Sequence, residues 1–380
     1  MSCNWLAWSA LALFALSFVS ASDGLGLDKL LRGYLRQYRI HHRIAMLAVL
    51  LVVAHISHEF ASLPATDRSM LLDLQDRAML LAWLAVLLLL ALTLAAIVRQ
   101  HWRRRYWLRL HWLLLPAMLL ALAHAWLSTR PALRACLPLF GLPLLPWLLK
   151  YLPASWWPHF SGHLVPARVQ HLAADVVMLE IDTAVLPQHF RAGQIVQLRF
   201  CGVAGASRLW HPFSVASCQR EQTLRLLIRQ AGLDTGQLAT AGSQVDIAIR
   251  GPYQEWQADF SRPQLWIAGG IGIAPFIGMW HCHRPQQTQQ VQVLHFASQL
   301  DRLDYANLLN HCQSQADYHR FDTPAGEMPD LQQLHHYLLQ HGCTHPVWLS
   351  GPPGFITLVK RYLLQAGIPR QLIHAEQLNP

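Results

Sequence analysis

The uneven distribution of apolar residues is the feature that most constrains the fold of this chain. Almost every long apolar run of its 380 residues lies before Lys150. Because roughly 20 apolar residues of helix cross a bilayer core of about 30 Å, five stretches are predicted to be spans of an all-α transmembrane bundle. These stretches are Asn4–Val19, Ile44–Leu63, Ala78–Val98, Tyr106–Leu127 and the proline-rich Leu133–Leu149.

The composition argues against two other classes of protein. The net charge of +9 could suggest a nucleic-acid partner, but the basic residues cluster where the predicted spans end, so we expect no nucleic acid to bind. The seven cysteines include no Cys-x-x-Cys pair, so neither a thiolate zinc site nor a cysteine-held iron–sulfur cluster is indicated. We expect most of these cysteines to be buried thiols.

The charged segments between the spans predict the orientation in the membrane. Lys29–Arg43 and Arg99–Arg105 follow the first and third spans and should be cytoplasmic. The N-terminus is then outside, and the chain after Lys150 lies in the cytoplasm. We expect the protein to be embedded in the lipid of a bacterial inner membrane. Val19–Ala21 could instead be a signal-peptidase site. We favour a retained helix, because Met1–Trp5 carries no positive charge.

Four histidines on the helices of the second and fourth predicted spans suggest bound haem, and His41 opens the second of these helices just before the span itself. His41 and His55 are 14 residues apart on the second span, and His111 and His124 are 13 apart on the fourth. Each pair is therefore separated by roughly 20 Å along its helix. Both spans run outward, which pairs His41 with His111 and His55 with His124 at matched depth. Since imidazole nitrogens are common haem ligands, two haems are predicted.

The second pair of histidines requires a distorted helix. A step of 13 residues ends about 140° short of whole turns, whereas 14 residues end about 40° short. Pro116 lies between His111 and His124 and is predicted to kink the helix there. His58, one turn beyond His55, is an alternative ligand. The alternative to haem binding is that these histidines lie at the membrane interface or pack between helices.

These histidines give the chain a resemblance to the transmembrane ferric reductase and NADPH oxidase family. The matching residues are His41–Ala45 followed by His55, and Leu110–Trp112 followed by His124–Trp126. The resemblance implies two b-type haems held by two histidine pairs. This chain has five apparent spans where the family usually has six. His42 competes with His41 as first ligand, and aligning Ala45 with the family's small residue favours His41.

Beyond Trp157 the pattern changes to short alternating strands, such as Val176–Ile181 and Ile195–Phe200, which predict an antiparallel β-barrel. In His211–Ser214, the aromatic ring can lie on a flavin while the Ser214 hydroxyl bonds the reactive ring nitrogen. In Ile228–Leu238, Thr235 is predicted to be a helix N-cap that receives a pyrophosphate, with Arg229 adding positive charge. A capped helix with a solvated arginine is an equally good interpretation of that segment alone.

Two glycine turns predict a nucleotide-binding α/β domain after the barrel. The buried strand Leu265–Ala268 runs into Gly269–Pro275, and Val347–Ser350 runs into Gly351–Phe355. Glycines between a strand and a helix let the backbone approach a dinucleotide pyrophosphate. The spacing is not the Gly-x-Gly-x-x-Gly of a Rossmann dehydrogenase.

Taken together, these motifs resemble the ferredoxin-NADP reductase superfamily over about Val165 to Leu378. The resemblance implies FAD and NADPH or NADH as cofactors, and it implies catalytic roles for Ser214, Ser350 and Glu376. It implies cofactor-binding roles for His211, Pro212, Phe213, Ser214, Arg229, Thr235, Gly269, Gly270, Gly272, Pro275, Gly351 and Pro352.

The chain departs from the superfamily pattern at three positions. Ser350 stands where cysteine is frequent, and Leu378 where an aromatic ring commonly covers the flavin. Ser298 stands near the usual arginine for the 2′-phosphate, with Arg302 as the nearby substitute, so NADH and NADPH both remain open.

The sequence therefore predicts three domains and one electron path. The domains are a haem-binding bundle at 1–153, an FAD-binding barrel at 154–258 and an NAD(P)-binding α/β domain at 259–380. Electrons are expected to pass from NAD(P)H through FAD and two haems to a small-molecule acceptor, with ferric chelates ahead of dioxygen. The alternatives are delivery to a redox protein partner and a haem-free, membrane-anchored flavin reductase.

Overall fold

The computed structural model describes residues 5–22, 27–31, 34–98, 104–129, 131–149, 162–173, 175–201, 203, 209–230, 232–253, 262–282, 291–298, 317–323, 330–341 and 345–377. The chain divides into two compact units. One comprises Met1–Leu27 and Arg36–Leu152, and the other comprises Asp28–Leu35 and Pro153–Pro380. Each unit is described separately below.

The first 150 residues are helical wherever they are described, apart from short turns and the connection between Ser62 and Arg77, which contains a 3-10 helix at Arg68–Leu72. The helices are α1 (Trp5–Ser20), α2 (Leu27–Leu30), α3 (Tyr34–Ser62), α4 (Arg77–Ile97), α5 (Arg104–His111), α6 (Leu114–Ser128), α7 (Pro131–Arg134), α8 (Leu137–Gly141) and α9 (Leu144–Leu149). Among the described residues, three segments are long and apolar enough to cross a membrane by length and composition: Arg36–Ser62, Arg77–Ile97 and Tyr106–Ser128. Helix α1 is apolar but has only 16 residues.

The predicted fifth span is wrong as a single helix. Its residues form the three short helices α7, α8 and α9. Pro138 and Pro143 stand in this stretch, and each removes an N–H donor and crowds the carbonyl four residues earlier. Leu137 and Leu144 pack with Leu11 and Phe18 of α1, so the broken segment still contributes to the core of the helical unit.

The predicted distortion of the fourth span is confirmed, and it lies one turn before Pro116. Trp112 and Leu113 are in turn conformation between α5 and α6. Their N–H groups donate to the carbonyls of Arg109 and Leu110, three residues back instead of four. Proline at 116 cannot donate to the Trp112 carbonyl, which accepts from Leu115 instead.

The predicted antiparallel barrel is present and nearly closed. Its strands are β1 (His163–Ala173), β2 (Val176–Asp182), β3 (Ile195–Phe200), β4 (His211–Ser214), β5 (Thr223–Arg229) and β6 (Gln244–Tyr253), in the order β4-β3-β6-β1-β2-β5. An antiparallel bridge between Val215 and Leu226 brings the two edges together. Alternate residues point inward, and the buried interior includes Leu179, Leu198 and Ile247. A short helix, α10 (Leu233–Gly236), lies between β5 and β6.

The predicted α/β domain follows and contains a parallel sheet. Its elements are β7 (Gln264–Gly269), α11 (Ala274–Cys282), β8 (Val291–Ser298), β9 (Asp317–Thr323), α12 (Gln332–His341), β10 (Val347–Gly351), α13 (Pro353–Gln365) and β11 (Ile373–Gln377). The sheet order is β11-β10-β7-β8-β9. The order reverses between β7 and β10, and ligands of open α/β sheets bind beyond the carboxyl ends of strands at such a switch point. The two glycine turns follow these two strands.

Candidate functional site

Strand β4 holds the predicted flavin-facing residues at the edge of the barrel. It pairs with β3, where Ser214 lies opposite Ile195 and Pro212 opposite Gln197. Ser214 is only 3% exposed. Phe213 packs against the interior of the barrel. The aromatic ring and the hydroxyl of these adjacent residues thus both belong to the strand at the barrel edge.

His211 fixes the start of this strand to α10. Its Nε2 lies 2.9 Å from Oδ2 of Asp234, and the Asp234 side chain is buried. The ring of Phe200 stacks on His211 with centres 6.0 Å apart. The contact brings the segment that carries Thr235 next to the strand that carries Ser214.

The predicted N-cap role of Thr235 is wrong. Helix α10 has Gly232 as its N-cap, and Thr235 is the third helical residue. The Thr235 hydroxyl accepts a hydrogen bond of 3.1 Å from the Gly232 N–H. Its oxygen therefore satisfies the backbone donor that precedes the helix, as the third residue of a capping box does.

Arg229 and Gly270 were predicted for different nucleotides, and the structure brings them together. The Arg229 Nε lies 3.2 Å from Oδ2 of Asp175. A Cβ at Gly270 would lie 3.2 Å from Arg229 Nη1. Gly270 has φ +53°, in the left-handed region that favours glycine. The end of β5 and the turn after β7 thus form one basic, glycine-lined corner.

The two glycine turns pack directly on one another. A Cβ at Gly272 would lie 2.6 Å from the Ser350 carbonyl oxygen, and a Cβ at Gly351 would lie 3.2 Å from the Cα of Gly269. Gly269 also faces the Phe355 ring, which a Cβ would approach to 2.8 Å. These glycines are therefore needed for contact between the turns, a reason that the sequence did not reveal. Two prolines flank the turns: Pro275 is buried as the second residue of α11, and Pro352 is the exposed N-cap of α13.

Ser350 lies in the middle of the sheet at the switch point. It pairs in register with Ala268 of β7 and with Glu376 of β11. Ser350 is fully buried, and its Oγ has no hydrogen-bond partner among the described residues. A buried hydroxyl without a partner costs about 1–3 kcal/mol, which favours a ligand group at this position. The Glu376 side chain lies outside the described part of the structure.

The residues predicted to choose between NADH and NADPH are described only in part. Ser298 ends β8 and pairs with Thr323 of β9. Arg302 and Leu378 lie outside the described residues. Along β11, the His374 ring stacks on Trp348 with centres 4.4 Å apart, and burial lowers the pKa of His374.

Gly278 and a cysteine pair were missed by sequence reasoning. A Cβ at Gly278 would lie 2.8 Å from the Val215 carbonyl oxygen, so α11 packs closely on the backbone that follows Ser214. One turn later Cys282 forms a disulfide with Cys218, with Cα atoms 4.9 Å apart. A small residue inside an apolar helix was the only available signal.

The expectation of buried thiols is wrong for the described cysteines. Cys218 and Cys282 are buried but joined in the disulfide, whereas Cys136 and Cys201 are free and exposed. Spacing along the chain could not reveal the pair, because its members are 64 residues apart.

In the helical unit the predicted histidines lie in two places. The rings of His41 and His111 have centres 6.3 Å apart, with an angle of 79° between their planes. His55 and His124 line one cavity of about 370 Å³. No group of three or more His, Cys, Asp or Glu side chains suited to a metal ion occurs among the described residues.

Comparisons with known proteins agree with the architecture of the second unit. A family model for an FAD-binding domain matches residues 162–294. The toluate 1,2-dioxygenase electron transfer component of Pseudomonas putida is 27% identical over an alignment of 221 residues, which covers 53% of this chain and 63% of that protein. This chain thus spans less than two thirds of the length of that relative.

Two solved structures are among those to which the chain is similar. A flavohemoglobin from Malassezia yamatoensis with bound FAD and heme has a TM-score of 0.51 at 15% identity, covering 99% of this chain and 98% of its own. A ferredoxin reductase in carbazole 1,9a-dioxygenase has a TM-score of 0.47 at 18% identity, covering 60% and 72%. Residues 162–294 thus match an FAD-binding domain, and the chain is similar in sequence to an electron transfer component.

Proposed function

We propose that this protein is an integral membrane enzyme that carries electrons from NAD(P)H, through FAD and two b-type haems, to an acceptor across the membrane. Ferric chelates are the first candidate acceptor and dioxygen the second. The observation that carries the proposal is that the His41 and His111 rings lie close together and that His55 and His124 line one cavity in the helical unit.

The spacing of the first pair fits an iron held between two imidazoles. A metal–imidazole bond is about 2 Å long, so two rings on opposite sides of one metal have centres roughly 6 Å apart. The observed separation of the His41 and His111 rings is 6.3 Å. His42, by contrast, is exposed, which supports His41 as the ligand.

Hydrogen bonds at Nδ1 select the nitrogen that would coordinate. The His41 Nδ1 lies 2.9 Å from the Ser17 carbonyl oxygen, and the His124 Nδ1 lies 2.8 Å from that of Ala78. A carbonyl can only accept, so Nδ1 carries the hydrogen and Nε2 has the lone pair. Metal-binding histidines are usually held in this way by a backbone carbonyl or carboxylate.

The cavity around the second pair suits an apolar macrocycle. Apolar side chains including Phe14, Met118 and Leu89 line it beside His55 and His124. The same cavity contains Glu59, whose Oε1 lies 3.8 Å from the Nδ1 of His55. His58 does not line the cavity, which supports His55 as the ligand.

Exposed leucines support a lipid environment for these helices. On α4, Leu87 is 62% exposed and Leu94 is 64% exposed, and Leu90 is exposed beside them. Such a face is unfavourable in water and favourable in a bilayer. This supports an integral membrane location. In a membrane, haems held by histidines at two depths would carry electrons from one side to the other.

In the second unit the chain's own residues would bind and orient the cofactors. FAD, when bound, supplies the conversion of a hydride donor's electron pair into single electrons. Phe213 and Ser214 would hold the flavin ring at the barrel edge, and the Arg229 guanidinium would neutralise phosphate charge. The buried Ser350 hydroxyl would bond the nicotinamide, and Glu376 would act near it. Ser298 carries no charge for a 2′-phosphate, which favours NADH unless Arg302 reaches the site.

Electron delivery to a protein partner is the second candidate function. The relative from Pseudomonas putida is named as an electron transfer component, and its alignment covers 53% of this chain. A delivery protein would reduce its haem with NAD(P)H yet turn over slowly with free ferric chelate or dioxygen. A haem-free reductase would lack the b-type haem spectrum altogether.

The test is the haem content of the purified protein with single histidine substitutions. The reduced-minus-oxidised spectrum and the haem-to-FAD ratio should show two haems per FAD. His55→Ala and His124→Ala should each remove about half the haem, whereas the matched control His58→Ala should remove none. Unchanged haem in both ligand variants, or equal loss in the control, would contradict the pairing.

A further inference from the structure

His295 is a fully buried polar side chain to which no role has so far been given. It lies on β8 with an exposure of 0%. Its Nε2 lies 2.9 Å from the Gly270 carbonyl oxygen, and its Nδ1 lies 2.8 Å from the Tyr318 hydroxyl. Tyr318 belongs to β9, the next strand of the sheet. One imidazole therefore joins the glycine turn after β7 to the two strands beside it.

The chemistry of these partners determines where the ring hydrogen lies. The Gly270 carbonyl can only accept, so Nε2 carries a hydrogen and donates it. Nδ1 can then accept from the Tyr318 hydroxyl. Because a buried polar group must be hydrogen-bonded to be tolerated, the ring holds the carbonyl in one orientation.

The glycine turn needs such a restraint. Gly270 has φ +53°, and glycine moves between conformations at little energetic cost. A peptide group is planar, so fixing the Gly270 carbonyl also fixes the N–H of Ile271 in the same peptide. Gly270 is also the residue that faces the Arg229 guanidinium.

We propose that His295 is a positioning residue for nicotinamide nucleotide binding, because it holds the Gly269–Gly272 turn in the shape that accepts the dinucleotide. This inference rests on the proposed use of NAD(P)H by the module. The ring itself is buried behind the turn, so it acts through Gly270 and not by contact with the nucleotide. Its loss should weaken nucleotide binding more than it slows turnover.

Two substitutions separate the two ring nitrogens. His295→Gln can place an amide N–H near the position of Nε2 and keep the bond to Gly270. His295→Asn is one carbon shorter and reaches only the position of Nδ1. The loss of one hydrogen bond should raise the KM for NADH or NADPH roughly two- to twelvefold in the asparagine variant. The glutamine variant should stay near the wild type.

The assay uses the full-length protein in detergent, with NADH and NADPH as donors and ferricyanide as an artificial acceptor. KM, kcat, FAD content and the melting temperature are measured for each variant. Tyr318→Phe removes one hydroxyl without disturbing the packing, and it should raise KM in the same direction by a smaller factor. This milder variant keeps the test valid should the asparagine variant fail to fold.

The outcomes distinguish this inference from the function on which it rests. If the wild-type protein oxidises neither nucleotide, the proposed function fails. If the wild type is active but Tyr318→Phe and His295→Asn leave KM unchanged, the positioning role is wrong. Equal changes in the asparagine and glutamine variants, with loss of FAD and a matching fall in melting temperature, would show a structural role and would also overturn it.

Discussion

The disulfide between Cys218 and Cys282 should make a large contribution to the stability of the flavin module. It joins the segment after β4 to the end of α11 across 64 residues. In the chain-entropy account, closing a loop of this length removes about 4 kcal/mol of unfolded-state entropy at 25 °C. For domains of about 150–250 residues, each kcal/mol corresponds to about 2–4 °C in melting temperature. Reduction should therefore lower the melting temperature by about 8–16 °C.

The measurement follows flavin fluorescence during heating, since FAD is released when the module unfolds. Oxidised and dithiothreitol-treated protein are compared, after alkylation and mass spectrometry have established the state of each thiol. Cys218→Ser should reproduce the reduced protein under oxidising conditions. Cys201→Ser is the matched control, because Cys201 is exposed and free, and it should cause no shift. A reduced protein that melts within about 2 °C of the oxidised protein would refute the reasoning.

Two further predictions concern the α/β domain. Gly272→Ala should destabilise this domain by about 1–3 kcal/mol in the same melting assay, because the new methyl group would lie 2.6 Å from the Ser350 carbonyl oxygen. Gly236→Ala is the control and should leave the melting temperature unchanged, because a Cβ there would have nothing within 4 Å. Burial against Trp348 lowers the pKa of His374, so stability should fall as the pH drops through the ordinary histidine range, where the unfolded chain binds a proton that the folded chain excludes. Histidine NMR titration should give His374 a depressed pKa that rises in Trp348→Ala; no rise would refute the assigned cause.

Periodicity and turn chemistry were sufficient to predict the barrel and the α/β domain. Both follow from local patterns, since β1 alternates between buried and exposed residues over much of its length and the stretch Leu265–Ala268 before Gly269 is apolar. The meeting of Gly272 with Ser350 could not be predicted, because it depends on the order of strands in the sheet. The same limit applies to Gly278. A larger residue there would collide with the backbone at Val215, which belongs to another domain.

The errors have a common physical origin in hydrogen bonds that local sequence leaves undecided. Thr235 could have capped a helix, but Gly232 begins α10 one turn earlier and takes the hydroxyl as a partner for its own N–H. The stretch around Pro138 and Pro143 is apolar enough for a span, yet prolines interrupt its hydrogen-bond ladder. The composition of a segment shows how apolar it is. Whether the segment forms one continuous helix also depends on which of its residues have a backbone N–H to donate.

Pro116 shows how one such interruption can serve the proposed function. In a straight helix, His124 would point about 140° away from the direction of His111, and the two could not both face α3. The structure contains a break at Trp112 and Leu113, where the missing donor of Pro116 leaves the ladder open. Beyond the break His124 lines the same cavity as His55, while before it His111 lies beside His41. Pro116 lines neither of these sites. It nevertheless explains how the 13-residue spacing of His111 and His124 can match the 14-residue spacing of His41 and His55.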